Sequence, residues 1–128
     1  MPKQLITCRK PWEETALFSL GVSVSGPLLF TAGMTARDPD GNIVGAGDMR
    51  LQIDQCFRNI GDVLEVAGIG FDRLVKVVMY VTDFAAFETT RDIRARYLTA
   101  RPVATAVGVA SLIHPDMMVE IEAVATLG

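Results

Sequence analysis

Histidine occurs once in the 128 residues, tryptophan once and cysteine twice. A zinc or other transition-metal centre draws on several imidazoles and thiolates at short spacing, so no metal site of that kind is expected, and one built here would need carboxylates alone. Cys8 and Cys56 allow a single bridge at most. Because Cys56 falls on the apolar stripe of a predicted helix, both thiols are expected to stay reduced. Long apolar runs are missing as well. No window approaches the roughly 18 uncharged apolar residues of a membrane span, and Met1 to Lys10 holds no signal-peptide core, which predicts a cytoplasmic protein with no membrane partner. Basic clusters are absent too. With 12 Lys and Arg against 15 Asp and Glu, the net charge is −3 and the pI about 5.0, so nucleic acid is not an expected partner.

What is present is apolar: half of all residues, with a mean hydropathy of +0.33. A chain of this length buries only about two-thirds of its extended surface, so this content predicts that other copies of the chain cover part of it. No repeat, linker or low-complexity segment interrupts the sequence, and residues 1–128 are expected to form a single domain.

Leu17 to Val24 and Leu28 to Ala32 are apolar-rich runs joined by Ser25-Gly26-Pro27, which predicts two strands in a hairpin. Asp38-Pro39-Asp40-Gly41 marks a second reversal, with Ile43 and Val44 as a short strand beyond it. From Asp48 to Ala67, the positions Ile53, Cys56, Phe57, Ile60, Val63, Leu64 and Ala67 fall on one helical stripe. Asp48 can cap its start and Gly68 can close its end. Leu74 to Val81 is β-branched and apolar on both faces apart from Lys76, the pattern of a central strand. A second helix is predicted from Asp83 to about Leu98, stopped by Pro102. Strands at Val103–Ala110 and Met117–Thr126 follow, about a turn at His114-Pro115-Asp116. The order predicts an α+β fold, a mixed sheet with two helices packed on one face and a second copy meeting the other.

Several chemical devices fail on inspection. Gly45-Ala46-Gly47 and Gly68-Ile69-Gly70 continue to Arg50 and Arg73, where a dinucleotide fingerprint needs glycine, and no phosphate loop exists, so no cofactor is expected. Ser111 and His114 lack a third, orienting member, and Gly21 to Ser25 lacks the final glycine of a nucleophile elbow. The C-terminal strands say more. In Val103 to Val109 the even positions are Ala104, Ala106 and Gly108, a bare face that suits either close packing of a helix or the floor of a pocket. In Val119 to Ala125, Glu120 and Glu122 share one face; it is either a solvated face or, at a subunit boundary, the place where an acid exchanges protons with water.

Ala32-Gly33-Met34, the helix end Leu64-Glu65-Val66-Ala67-Gly68, the run Val75 to Asp83, Pro102, and the close Val119 to Ala125 stand in one order. Together they resemble the RidA/YjgF family, from about Phe18 to Ala125. The resemblance implies a chorismate-mutase-like fold and a homotrimer with an inner barrel and ligand clefts between subunits. It also implies hydrolysis of reactive enamines and imines, such as 2-aminoacrylate, to 2-oxo acids and ammonia. Glu120 would be the catalytic acid/base and Gly33 a backbone contact. The family's substrate-anchoring arginine stands here as Ala104, its cleft tyrosine as Phe18, a serine as Ala32, an asparagine as Arg91 and a cysteine as Ala106. Arg91, Arg94 or Arg101 could replace the lost guanidinium, and the enlarged floor over Ala104 and Ala106 suits a larger acid of the aminomuconate kind. The expected ligand is thus a small carboxylate-bearing imine, enamine or related acid, and the enzyme reading stands ahead of a trimeric, non-hydrolytic ligand binder of the same fold. A ribonuclease activity, attached to some relatives, finds no support in the charge or in any base-stacking motif.

Overall fold

The structure, a computed structural model, describes residues 3–128. Among the described residues six strands and three α-helices follow one another: β1 Lys3–Ile6, β2 Gly21–Val24, β3 Leu28–Phe30, α1 Met49–Val66, β4 Leu74–Val81, α2 Phe84–Glu88, α3 Arg91–Tyr97, β5 Val103–Gly108 and β6 Val119–Thr126. The main sheet has the order β3-β6-β4-β5, with β4 and β5 parallel and the other pairs antiparallel. This is the predicted mixed α+β architecture.

Helix α1 forms where the apolar stripe predicts it. Asp48 accepts the Leu51 amide at 3.2 Å, and Gly68, at φ +78°, ends the helix while its amide and that of Ile69 satisfy the Glu65 and Leu64 carbonyls. Ile53, Cys56, Phe57, Ile60 and Leu64 are fully buried against the sheet. They meet Val77, Met79 and Val81 of β4 and Val119, Ile121, Ala123 and Ala125 of β6, the residues that alternate onto the helix side.

Several expectations are corrected. Strands β2 and β3 follow one another through Ser25-Gly26-Pro27 but do not form a hairpin, because β2 pairs with β1 while β3 pairs with β6. Residues Leu17 to Leu20 lie outside any strand. The second helix is broken in two at Thr89 and Thr90, whose hydroxyls bond back to the Ala86 and Phe87 carbonyls and compete with the helical ladder. Ile43 contributes only an isolated bridge to Arg37.

Within the protomer the bare face of β5 packs against the core. Register pairs Val77 with Ala104 and Met79 with Ala106, so both alanines point to the helix side and touch the core. At Gly108 a Cβ would come within 3.3 Å of the Phe84 ring, so the smallest residue lets α2 sit against the strand. The opposite face of the sheet carries no helix. There Lys76 is exposed, Val78, Tyr80, Glu120, Glu122 and Val124 are half-buried, and Phe30 is 69% exposed.

Candidate functional site

Where β6 passes the segment after β3, the pairing slips. Thr31 donates to the Ala123 carbonyl at 2.9 Å and Met34 exchanges hydrogen bonds with Ile121 at 2.8 and 2.9 Å. Ala32 and Gly33 therefore stand together opposite Glu122 alone, a bulge of the kind that re-aims side chains at the margin of a sheet. Among the described residues the amides of Ala32 and Gly33 reach no backbone acceptor, so donors remain open beside β6.

Gly33 is glycine for a steric reason. A Cβ there would lie 2.0 Å from Oε2 of Glu120, so the carboxylate occupies the space a side chain would fill. Glu120, Glu122 and Tyr80 lie on the same, helix-free face, with Glu120 directly across the ladder from Tyr80. They line a cleft of about 280 Å³ with Gly33, Val109 and Leu112. The Tyr80 hydroxyl donates across the ladder to Glu122 and leaves Glu120 alone. That hydrogen bond, then burial and the charges of Glu122 and Glu120, pushes the Tyr80 phenol above its ordinary value. The phenol thus keeps its proton at neutral pH and stays a donor.

The other expected site residues gather elsewhere. Phe18, half-buried, lies 6.4 Å from Trp12 between ring centroids. Arg101 donates to the carbonyls of Glu13 and Phe18 at 2.9 and 3.2 Å, and Arg91 donates to that of Thr15, so both pin the segment before β2. Arg94 donates to the Thr90 hydroxyl and the Phe87 carbonyl and lies 4.1 Å over the Phe87 ring, with burial lowering its pKa. None of these guanidiniums lines the Glu120 cleft. Within one protomer, then, Gly33 and Glu120 come together with Ala32 beside them, Arg101 reaches the Phe18 carbonyl while Arg91 reaches that of Thr15, and Ala104 and Ala106 lie on the far face of the sheet from Glu120.

Sequence reasoning left Tyr80, Val109 and Leu112 out of the site and stopped short of giving Glu122 a role. A signal existed for Tyr80. It is the one hydroxyl in an otherwise aliphatic strand and stands an even number of residues from Lys76, the sole charged residue there and so the marker of the uncovered face. Among the described residues, no group of three or more His, Cys, Asp or Glu side chains converges as metal ligands would, and no helix is long and apolar enough to cross a membrane.

An α+β domain with a carboxylate cleft at a sheet bulge is the class this geometry defines. Residues 10–127 match the family model described as endoribonuclease L-PSP. A RutC family protein of Synechocystis is 34% identical over 113 residues, covering 86% of this chain and 85% of its own. Another, from Pyrococcus abyssi, is 30% identical over 98% of both chains. Among solved structures, the conserved Rid-family protein YyfB of Yersinia pestis superposes with a TM-score of 0.89 at 29% identity, over 99% of this chain and all of that one. The chain belongs to the RidA/YjgF family.

Proposed function

We propose that the protein is an imine or enamine hydrolase that works as a homotrimer, with Glu120 handling the water. The observation that carries this reading is the Glu120 carboxylate seated on Gly33 at the bulge, beside unpaired amides. A water held there adds its oxygen to the carbon of a protonated C=N bond while Glu120 takes a proton from the water and the π pair passes to nitrogen, giving a neutral carbinolamine. The same carboxyl then gives that proton to nitrogen, the C–N bond breaks with its electron pair leaving on ammonia, and the hydroxyl proton of the adduct passes back to Glu120 as the carbonyl forms, to be released as ammonium or to solvent. An enamine enters the sequence after protonation on carbon. The open sheet face, with Phe30 and Val107 exposed, supports burial by further copies. In such a trimer, Phe18, Arg91, Ala104 and Ala106 would belong to the side of the cleft supplied by the neighbouring protomer. The acidic balance of 12 against 15 charged groups weighs against the ribonuclease activity in the family model's description.

The test is ammonia release from 2-aminoacrylate generated in place and from 2-aminomuconate. The protein should accelerate at least one, and Glu120→Gln should reduce the rate by about 10²- to 10⁴-fold, the range for loss of a positioned acid/base. Rates equal to buffer for both would reject hydrolysis of these two acids. Sedimentation should give three times the 13.9 kDa chain mass. A second reading, a trimeric ligand binder without turnover, is favoured by one observation: Ala104 stands where the family arginine would anchor a carboxylate, and no guanidinium of the same protomer lines the cleft. Saturable binding of a ligand recovered unchanged would identify it.

A further inference from the structure

A second cleft, of about 320 Å³, has Leu5 and Ile6 of β1 in its lining together with Glu14, Ser19 and Arg101. Arg101 precedes β5 and Val109 of the Glu120 cleft follows it, so the length of that strand separates the two. Ser19 lines this second cleft, while the ring of Phe18 beside it in sequence turns to Trp12. The volume is that of a site for a compact molecule, near the lower end of the roughly 300–1,000 Å³ of small-ligand pockets.

Backbone strain collects around it. Among the described residues, the non-glycine residues at positive φ are Arg9 at 58° and Arg101 at 52°. Arg9 lies in the loop that wraps the buried Glu13 carboxylate, which accepts the Thr7 hydroxyl at 2.7 Å and the Cys8 and Lys10 amides at 3.2 and 2.7 Å. Arg101 is held in its left-handed turn from both sides: its amide donates to the Leu98 carbonyl at 3.1 Å, and its own carbonyl accepts the Ser19 hydroxyl at 2.6 Å. Such conformations persist only where the surroundings fix them, and ligand clamps are among the places that do so. The Nη2 group of Arg101 donates to the Glu13 and Phe18 carbonyls, which anchors the guanidinium, and among the described residues Nε and Nη1 reach no acceptor.

Glu13 is filled by its own chain. The groups left for a ligand are the unpaired N–H groups of Arg101, the exposed Glu14 carboxylate, which pairs with no base among the described residues, and the aliphatic Leu5 and Ile6. A carboxylate alone gains Arg101 but meets Glu14, and an amine alone gains Glu14 but meets Arg101. A molecule carrying both charges and a short aliphatic arm satisfies all three. We propose that this cleft binds a free aliphatic α-amino acid as its zwitterion, the carboxylate on Arg101, the ammonium on Glu14 and the side chain against Leu5 and Ile6. The site stands apart from hydrolysis and needs neither Glu120 nor turnover.

Titration calorimetry on the full chain compares L-leucine with three probes that each lack one feature: 4-methylpentanoate has no ammonium, 3-methylbutylamine no carboxylate and glycine no side chain. Leucine should bind saturably and on the order of tenfold more tightly than any of the three. Glu14→Gln should weaken leucine about threefold or more while the affinity for 4-methylpentanoate stays or rises, and an unchanged melting temperature would show that this exposed side chain carries no structural load. In the isotope-labelled chain, leucine should shift the NMR signals of the Ile6, Thr7, Glu14 and Ser19 amides and leave those of Gly33 and Leu112 in place. No saturable binding of leucine at millimolar concentration, equal affinities for the four probes, or a leucine affinity untouched in Glu14→Gln would each overturn the proposal. So would shifts centred on Gly33 and Leu112, which would put the ligand in the Glu120 cleft. Because none of the four probes reacts, absence of ammonia release from any imine leaves this site standing.

Discussion

The two faces of one sheet divide the labour of this molecule. On the helix side, Val77, Val81, Val119 and Ile121 are fully buried against Ile53, Cys56, Phe57 and Ile60, and burial holds the Cys56 thiol far above its ordinary pKa. On the other side, the alternate residues of the same strands are Lys76, Tyr80, Glu120 and Glu122, half-buried or exposed. A period of two lets neighbouring residues answer to different selection, one for packing and the next for chemistry. Substitutions one residue apart should therefore fail in different ways.

The largest expected effect is on the covered face. Phe57 stacks on Tyr97 at 4.7 Å between centroids and is wholly buried, so Phe57→Ala should cost about 3–5 kcal/mol of unfolding free energy by urea titration. Phe30→Ser, on the open face, should change the stability of the isolated protomer by less than about 0.5 kcal/mol. Its effect should instead be on mass, with the proposed trimer falling toward the single chain in sedimentation. If Phe30→Ser unfolds the protomer as Phe57→Ala does, the contrast between the faces is broken.

Gly33→Ala tests the boundary between the two roles. The nearest atoms to the added Cβ are Oε2, Cδ and Cγ of the Glu120 side chain, which can swing away, and Gly33 is not among the glycines at positive φ. The fold should lose little, whereas a carboxylate displaced by an ångström or more should lose on the order of 10²-fold in hydrolysis. Melting temperature and ammonia release measured on the same preparation give both answers. Equal loss of the two would make Gly33 a packing residue and not part of a site.

This division also explains what could be read in advance. The helical stripe from Ile53 to Leu64 and its Asp48 and Gly68 ends were legible because cap chemistry and periodicity agree, and both are local. The residues alone left Glu120 open between a solvated strand face and a proton-exchanging acid, and only the resemblance joined it to Gly33, since a glutamate alternating with apolar residues is the ordinary sign of a solvated strand. The contact that joins them spans 87 residues of chain and leaves no local trace. The hairpin from Leu17 to Ala32 was misjudged for a related reason: the turn at Ser25-Gly26-Pro27 is real, but strand partners are chosen by β1 and β6, far away in sequence. Likewise, register alone decides that Ala104 and Ala106 face the helices.

The smallest effect lies on the outer surface of the helix layer, where neither core packing nor the cleft is involved. Arg50 of α1 holds Asp92 of α3 through paired hydrogen bonds of 3.0 and 2.8 Å, and the guanidinium lowers the Asp92 carboxyl to about 2. The sign follows from linkage. A carboxyl whose pKa is lower in the folded chain than in the unfolded one adds stability above the unfolded value, about 3.9, and loses it as the pH falls toward 2. Both side chains are largely exposed, at 47% and 59%, so solvent screens the pair and its contribution to stability should be minor. The clear readout is the titration itself: the Asp92 carboxyl carbon, followed by NMR, should titrate near 2 in the native chain and move up toward the ordinary carboxylate value in Arg50→Gln. Hydrolysis at neutral pH should be unchanged, because the pair sits on the helix layer with the whole sheet between it and Glu120. A change in turnover on losing Arg50 would mean that the covered side of the sheet is coupled to the cleft, and the separation of the two faces would have to be given up.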